Sequence, residues 1–202
     1  MGVLASTNIL YIQTWDGSSW TSNWNTSSLS QSAFRNFDIA YESSSGDAIV
    51  VFGDGTSQLK FRKRVSGTWD SSDQNAGTAL DNKPLWVRAE SRPTNDDVFA
   101  AVVTTGSKVH ALRWNGSTNT WGDEIEATAS IAENTKEGFD IAFERASGDA
   151  FLIWGDTSNN IKYKEFTTSW QAETTAYASL PDKVLWVVAA YDPLSTSSKI
   201  AT

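Results

Sequence analysis

A motif of eighteen residues occurs twice in the chain, in similar form. "FDIAYESSSGDAIVVFGD" begins at Phe37, and "FDIAFERASGDAFLIWGD" begins at Phe139. A second motif, "LWV", occurs at 85–87 and returns at 185–187. A repeat of this kind restricts a chain to architectures in which each repeat is one supersecondary unit packed on its neighbours. The sequence therefore predicts a fold built from similar units placed side by side.

A half-period lies inside the long repeat. Four related turns, "WDGSSW" (15–20), "VSGTW" (65–69), "WNGSTNTW" (114–121) and "FTTSW" (166–170), each end in tryptophan. Their closing tryptophans are spaced 49, 52 and 49 residues apart and are Trp20, Trp69, Trp121 and Trp170. The chain thus contains four units of about 50 residues in the alternating order A-B-A-B, in which the A units begin with the repeated motif at Phe37 and Phe139 and the B units begin with the motif LWV at Leu85 and Leu185.

Each unit has the pattern of short β-strands. "FDIAYE" alternates apolar and polar residues with the period of two that is typical of a strand. "AIVVFG" is a short apolar run, which predicts a strand buried on both faces. "DGTS" is a hairpin signal, and "QLKFRKR" alternates again. Lys63 falls on the apolar side of this last strand, near its end, where we expect its ammonium to reach water.

Repeated short antiparallel strands predict an all-β fold, a four-bladed β-propeller-like ring of antiparallel sheets. We expect one domain over 1–202, with blades at approximately 37–72, 85–122, 138–172 and 185–202 plus 1–24. The alternative is a pair of β-sandwiches of about 100 residues each. The sandwiches need only the long repeat, so the 50-residue spacing favours the propeller.

The two chain ends complement each other. "SSKIAT" (197–202) matches "NDDVFA" (95–100), and "GVLASTNILYIQTW" (2–15) matches "AVVTTGSKVHALRW" (101–114), which follows it directly. Joined tail to head, the ends rebuild a hairpin without a gap. We therefore expect circular closure, in which N- and C-terminal strands complete the last blade and remove its open edges. The alternative is a homo-oligomer in which another copy supplies those strands, giving a ring or a fibre.

Two stretches resemble a known group of proteins. "GDGTSQLKFRKRVSGTWDSS" (53–72) and "TGSKVHALRWNGSTNTWGDE" (105–124) resemble blades of bacterial propeller lectins and tachylectin-like proteins. The "WDGSSW" turn also resembles the Asp-box turn of sialidase-like propellers. The resemblance covers all four units through a few turn-forming positions in each, and it implies a propeller that binds carbohydrate. Four units are fewer than is usual in such families.

Composition excludes several function classes. The formal net charge is -8, whereas a nucleic-acid partner requires a basic surface. No run of residues is apolar and long enough for a membrane span, so we expect no membrane insertion. The first fifteen residues lack the basic start and unbroken apolar stretch of a signal peptide. We expect a secreted or cell-surface protein whose export signal lies outside this sequence.

The residues offer little support for catalysis. There is no cysteine, and the single histidine, His110, has aromatic residues at the equivalent positions of the other units. We therefore expect no enzyme activity, no metal and no cofactor. A glycosidase needs two carboxylates that flank one bond, and the acidic positions here follow the repeat, as in Asp38 and Asp140. Arg35 and Arg88 form no symmetric arginine cluster, because their counterparts are Glu137 and Val188.

Two groups of residues are candidates for ligand binding. The second residue of each unit's first strand is alternately aspartate and tryptophan, namely Asp38, Trp86, Asp140 and Trp186. Such rings and carboxylates could stack on and accept hydrogen bonds from a sugar; alternatively the rings fill space between blades and the carboxylates accept backbone N–H bonds. The second group consists of tryptophans that do not recur in every unit, namely Trp15, Trp24 and Trp114, which we expect to be exposed.

These observations predict a non-enzymatic binding or scaffold domain, with a glycan as the leading ligand. One alternative is a purely structural repeat of a longer array or homo-oligomer. A glycosidase-like or sialidase-like propeller is the other.

Overall fold

The computed structural model describes residues 1–26, 29, 33–128, 130–194 and 196–202, and these form eighteen strands. All strand pairs are antiparallel, and none of the residues in these ranges is helical. This part of the chain accordingly includes no helix that could cross a membrane. The all-β prediction is confirmed.

The strands form five sheets, two of them partial and placed at the chain ends. Sheet N contains β1 (Gly2–Leu4), β2 (Leu10–Trp15) and β3 (Trp20–Thr26). Sheet 1 contains β4 (Phe37–Tyr41), β5 (Ala48–Gly53), β6 (Leu59–Val65), β7 (Thr68–Trp69) and β8 (Gln74–Asn75). Sheet 2 contains β9 (Pro84–Ser91), β10 (Val98–Thr104), β11 (Val109–Asn115) and β12 (Thr120–Thr128). Sheet 3 contains β13 (Phe139–Phe143), β14 (Ala150–Gly155), β15 (Ile161–Phe166) and β16 (Thr174–Tyr177). Sheet C contains β17 (Ala190–Tyr191) and β18 (Ile200–Ala201).

The first strands of successive sheets lie beside one another. β4 contacts β9, β9 contacts β13, and β13 contacts β17, so we call these four the inner strands. In sheets 1 to 3 the second, third and fourth strands follow outward in chain order. Every residue of the second strands β5 and β10 is buried, which for β5 confirms the prediction made from its apolar run.

The core lies between consecutive sheets. Between sheets 2 and 3, the rings of Phe99, Phe143 and Phe166 meet edge to face, with centroids 5.0 to 5.5 Å apart. Between sheets 1 and 2, Phe61 contacts Trp114 at 5.4 Å. Aromatic contacts of this kind bury large areas per residue, which allows a chain with modest apolar content to form a continuous core.

The two partial sheets have the register of sheet 2. In sheet N, Val3 lies opposite Tyr11, as Val102 lies opposite His110. In sheet C, β17 and β18 pair as their counterparts in β9 and β10 do, with Ala190 opposite Ala201. The register therefore agrees with the alignment of the chain ends. Sheets N and C are nevertheless separate sheets, and no strand pairing joins them within the described residues, so closure stays a prediction.

A buried ion pair lies between sheets 1 and 2. Lys63 Nζ is 2.9 Å from Glu42 Oε1, and the indole N–H of Trp114 donates to the same oxygen at 2.7 Å. All three residues are buried. The expectation that the Lys63 ammonium reaches water was wrong, because Glu42 gives it a partner inside the interface. Removing either residue would leave the other charge buried and unpaired, so we expect substitution of either one to destabilise the fold.

Replacing Glu42 with alanine tests this interface. We expect Glu42→Ala to lower the free energy of unfolding by about 2–4 kcal/mol, because Lys63 loses its close carboxylate partner and keeps only the hydrogen bond to Asn119 at 2.8 Å and the longer contact to Asp47 at 3.6 Å. The matched control is Glu144→Ala at the equivalent position of sheet 3, where the side chain is only half-buried and the counterpart of Lys63 is Glu165. Urea denaturation followed by tryptophan fluorescence should show little change for this control. Equal losses for both variants would contradict the buried-pair interpretation.

Candidate functional site

Asp38 and Asp140 connect neighbouring inner strands. Asp38 Oδ2 accepts the N–H of Ala89 at 3.0 Å, and Asp140 Oδ2 accepts the N–H of Ala189 at 2.8 Å. The other oxygen of each carboxylate accepts the N–H of the residue that follows it, at 3.0 and 2.9 Å. The structure thus places both aspartates as backbone acceptors, which is the alternative that the sequence had left open for them.

Backbone carbonyl groups accept hydrogen bonds from the same strand edges. Val87 N–H donates to the carbonyl of Arg35, and Val187 N–H donates to the carbonyl of Glu137, both at 3.0 Å. Each junction from an A unit to a B unit therefore satisfies two N–H groups of the chain that follows, which is β9 at the first junction and the segment before β17 at the second. These groups would otherwise form an unpaired sheet edge.

Trp86 of β9 meets Trp186, which the repeat predicts in the first strand of the fourth unit but which lies before β17, in a segment that belongs to no strand. The rings of Trp86 and Trp186 have centroids 6.4 Å apart and are nearly perpendicular. Trp86 is half-buried, contacts Phe34 at 5.4 Å, and donates its indole N–H to the carbonyl of Asn134 at 3.1 Å. Trp186 is 60% exposed, and the ammonium of Lys136 lies 5.8 Å from its ring centroid. Trp186 therefore presents an open aromatic face next to a fixed one.

Charged side chains lie next to this pair. The guanidinium of Arg35 hydrogen-bonds Glu137, and Arg88 Nε lies 3.0 Å from Glu137 and 3.3 Å from Asp140. Burial raises the pKa of Asp140 above its usual value, although Ala189 and Arg88 oppose that shift. We call Arg35, Trp86, Arg88, Glu137 and Trp186 the inner-strand site.

The charged members of the inner-strand site were not predicted as ligand contacts. Arg35 and Glu137 occupy equivalent positions of the two A units, 102 residues apart, and they contact each other. The sequence signal that could have pointed to these residues is the opposite charge at one repeated position. A residue that departs from the repeat is not explained by the structure that all units share.

Glu90 lies at the end of inner strand β9. It retains more than a third of its surface in contact with solvent. Burial of the carboxyl group in the recess between the inner strands, together with the charges of Asp140 and Asp38, raises its pKa from 4.5 to about 7. Solvent contact moderates the energetic effect of such a shift.

The three irregular tryptophans have different surroundings. Trp114 is 3% exposed and lies in the core between sheets 1 and 2, so the expectation of an exposed ring was wrong for it. Trp24 is half-buried beneath Arg62, whose guanidinium lies 4.4 Å from the ring centroid. Trp15 is 49% exposed and contacts the equally open Trp20 at 5.4 Å. Only Trp15 presents a largely open ring, and it lies on sheet N rather than on an inner strand.

His110 has a structural partner. Its Nε2 lies 2.7 Å from Asp81, which also accepts the hydroxyl of Thr104 at 2.9 Å. His110 is 8% exposed and belongs to strand β11. The pair connects β11 to the loop before sheet 2. Within the ranges that the structure describes, no three His, Cys, Asp or Glu side chains are grouped as metal ligands would be.

Comparison with solved structures identifies the fold. The BP39L lectin from Burkholderia pseudomallei superposes with a TM-score of 0.64 at 11% identity, over 87% of this chain and 51% of the lectin. The Aleuria aurantia lectin, solved as a mutant with alpha-methyl-L-fucoside, gives 0.55 at 14% identity, over 95% and 62%. A mutant of AofleA from Arthrobotrys oligospora gives 0.55 at 10% identity, over 98% and 62%.

The chain thus spans about half to three-fifths of the length of these lectins. No protein-family model and no curated protein matches the sequence. At these identities the likeness establishes the fold alone, an arrangement of antiparallel sheets like that of the lectin propellers.

Removing an inner-strand carboxylate tests the junctions. We expect Asp38→Ala and Asp140→Ala each to lower the free energy of unfolding by about 1–3 kcal/mol, because a backbone N–H of the next strand loses its acceptor. Asp182→Ala is the control, since that exposed aspartate accepts only the N–H of Lys183 within the described contacts. Urea unfolding curves measure all three. A loss for Asp182→Ala as large as for the other two would contradict the assignment.

The raised pKa of Glu90 predicts a specific pH dependence of the free energy of unfolding. Because its folded pKa of about 7 exceeds its usual 4.5, the unfolded chain loses this proton first, and stability falls as the pH rises from 4.5 to 7. Glu90→Gln should therefore be more stable than the unmodified protein at pH 8, by up to about 1 kcal/mol after allowance for solvent screening. The difference should disappear at pH 4.5. Denaturation curves at several pH values measure it, and parallel profiles would count against the shift.

Proposed function

We propose that this chain is a non-enzymatic, lectin-like domain that binds carbohydrate at the inner-strand site. The observation that carries the proposal is the open ring of Trp186 beside the fixed ring of Trp86, with charged groups adjacent to both. The fold, shared with several sugar-binding lectins, supports it.

The chemistry of the site suits a sugar. One face of a pyranose carries C–H groups that pack on an aromatic ring, and its hydroxyl groups require donors and acceptors at the edge of that ring. Trp186 offers the aromatic face. Arg35 and Arg88 offer donors, and Glu137 offers acceptor lone pairs.

The hydrogen bonds and ion pairs of the carboxylates favour a binding role over hydrolysis. A glycosidase needs one carboxyl group as acid and another as base or nucleophile on either side of the bond. Asp38 and Asp140 each accept two backbone N–H groups, and Glu137 is paired with two arginines. Groups bound in this way stabilise the inner strands and are poorly suited to proton transfer.

We further propose that 1–202 forms one domain of four propeller units, three of them complete as sheets 1 to 3 and the fourth present as two halves, sheets C and N, which do not pair with each other among the described residues. The repeat of about 50 residues and the matching registers of sheets 2, N and C support this arrangement. The secreted or surface location follows from the proposed ligand, because glycans are displayed mainly outside the cell.

Trp186→Ala tests the site. An array of oligosaccharides first identifies a bound glycan, and titration calorimetry with that glycan then compares variants. We expect Trp186→Ala to weaken binding at least tenfold, because the sugar loses its stacking surface. Tyr177→Ala is the matched control, since Tyr177 is 61% exposed and lies on the outermost strand of sheet 3. Both variants should keep the unfolding midpoint of the unmodified protein.

Several outcomes would overturn the proposal. An array without any bound glycan would do so, as would equal binding by the Trp186→Ala variant. Release of nitrophenol from a panel of nitrophenyl glycosides would instead indicate a hydrolase.

A further inference from the structure

One face of sheet N is uncovered and carries three large exposed side chains, Val3, Tyr11 and Trp15, with the polar Gln13 between the last two. The side chains on this face correspond by register to those of sheet 2 that pack against sheet 1. The exposed fractions in sheet N are 44% for Val3, 36% for Tyr11 and 49% for Trp15. Their counterparts in sheet 2 are exposed by 0% at Val102, 8% at His110 and 3% at Trp114. Sheet N therefore presents the face that its equivalent buries inside the molecule.

The internal junction shows what covers such a face. Trp114 packs on Phe61 of sheet 1 and donates its indole N–H to Glu42 of the same sheet. Ile49 and Val51, both fully buried, complete the receiving surface on sheet 1.

Sheet 3 carries the same receiving surface, which sheet C and the segment before it cover only in part. The counterparts of Glu42, Ile49, Val51 and Phe61 are Glu144, Phe151, Ile153 and Tyr163. All four line one cleft of about 240 Å³, which also includes Ile200 of sheet C. Phe151 and Tyr163 are half-buried, whereas Ile49 and Phe61 are buried. The cleft is thus an apolar surface with a carboxylate at the position that receives an indole N–H in the internal junction.

The strand edges match in the same way. In sheet 2, Val102 pairs with Val87 and Val103 pairs with Trp86. The corresponding pairs would join Val3 and the adjacent Leu4 of β1 to Val187 and Trp186. In the structure β1 pairs only with β2, and 184–189 belong to no strand, although sheet 3 already holds the N–H groups of Val187 and Ala189.

We propose that sheet N of one copy of this chain docks into the cleft of sheets 3 and C of a second copy, recreating the junction between sheets 1 and 2. In that complex β1 of one copy extends sheet C of the other, Trp15 packs on Tyr163, and its indole N–H donates to Glu144. Each copy has one surface of each kind, so the association is head to tail.

The fold favours a second copy over closure within one chain. Sheet N packs on sheet 1 through Leu10, Ile12, Val50 and Phe52, and sheet C packs on sheet 3, so both partial sheets are fixed within the chain. In this arrangement Val3, Trp15 and Trp186 remain exposed, whereas closure would cover the first two. The chain also superposes on only about half to three-fifths of the length of the larger lectins, as expected of an arc rather than a complete ring.

One difference in sequence between the two A units affects the strength of docking. The counterpart of Lys63 in sheet 3 is Glu165, so the proposed interface has a second carboxylate where the internal junction has an ammonium. A like charge next to Glu144 weakens the interface relative to its internal equivalent. Glu165→Lys restores the internal arrangement and should therefore strengthen association.

Light scattering after size exclusion, over a range of protein concentrations, measures the association. We expect the full chain to form dimers or larger assemblies that dissociate on dilution. Val3→Asp should weaken association at least tenfold, and Glu165→Lys should strengthen it several-fold. Val65→Asp is the matched control, because Val65 is 48% exposed on sheet 1 and lies outside the proposed surface. A monomeric mass at every concentration for the unmodified chain and for Glu165→Lys would overturn the proposal.

Disulfide trapping identifies the partner. The chain has no cysteine, so introduced thiols report only the designed contact. A mixture of Val3→Cys and Val187→Cys proteins should form a disulfide-linked dimer on mild oxidation, because opposed residues of paired strands lie within disulfide range. A mixture of Val65→Cys with Val187→Cys should not. A double variant that instead becomes a monomer with an internal disulfide would overturn the proposal in favour of closure within one chain.

The two proposals can fail separately. The Val3→Asp and Glu165→Lys changes lie outside the inner-strand site, so glycan titration of these variants reports sugar binding while light scattering reports association.

Discussion

The N–H groups along the free edge of each inner strand must find acceptors, and the rest of the structure depends on how they do. A strand has two edges, and β9 uses only one of them to pair with β10. Its other edge receives the carboxylate of Asp38 and the carbonyl of Arg35. The same pair of acceptors, Asp140 and Glu137, holds the chain before β17. These bonds set the spacing between neighbouring sheets, and the aromatic cores between the sheets then fill the space that this spacing leaves.

Much of this fold could be predicted because it rests on repetition. A residue that recurs at a fixed period occupies the same place in the strand pattern of each unit, which is why the repeated motifs predicted the strands of sheets 1 to 3 and the register of the partial sheets. The apolar run at β5 could be assigned to a buried strand because both faces of a second strand are covered. The aspartates were correctly recognised as repeated, and backbone acceptance was already one of the two roles considered for them.

The remaining features could not be predicted because they depend on what lies on the other side of an interface. Trp15 and Trp114 have equivalent positions in their units, yet one is 49% exposed and the other 3%, because only Trp114 has a preceding sheet against it. Lys63 appeared to be a strand-end lysine, and only the structure brings Glu42 to its ammonium. Likewise the contact between Arg35 and Glu137 joins two residues that the sequence pattern presents merely as mismatched counterparts.

The junctions alternate in kind along the chain. From an A unit to a B unit, an aspartate bonds the next backbone; from sheet 2 to sheet 3, Trp86 donates to Asn134 and a phenylalanine cluster forms the contact. An A unit followed directly by another A unit would form a junction of neither kind. The smallest insertion or deletion that leaves only these two kinds of junction is therefore a pair of units.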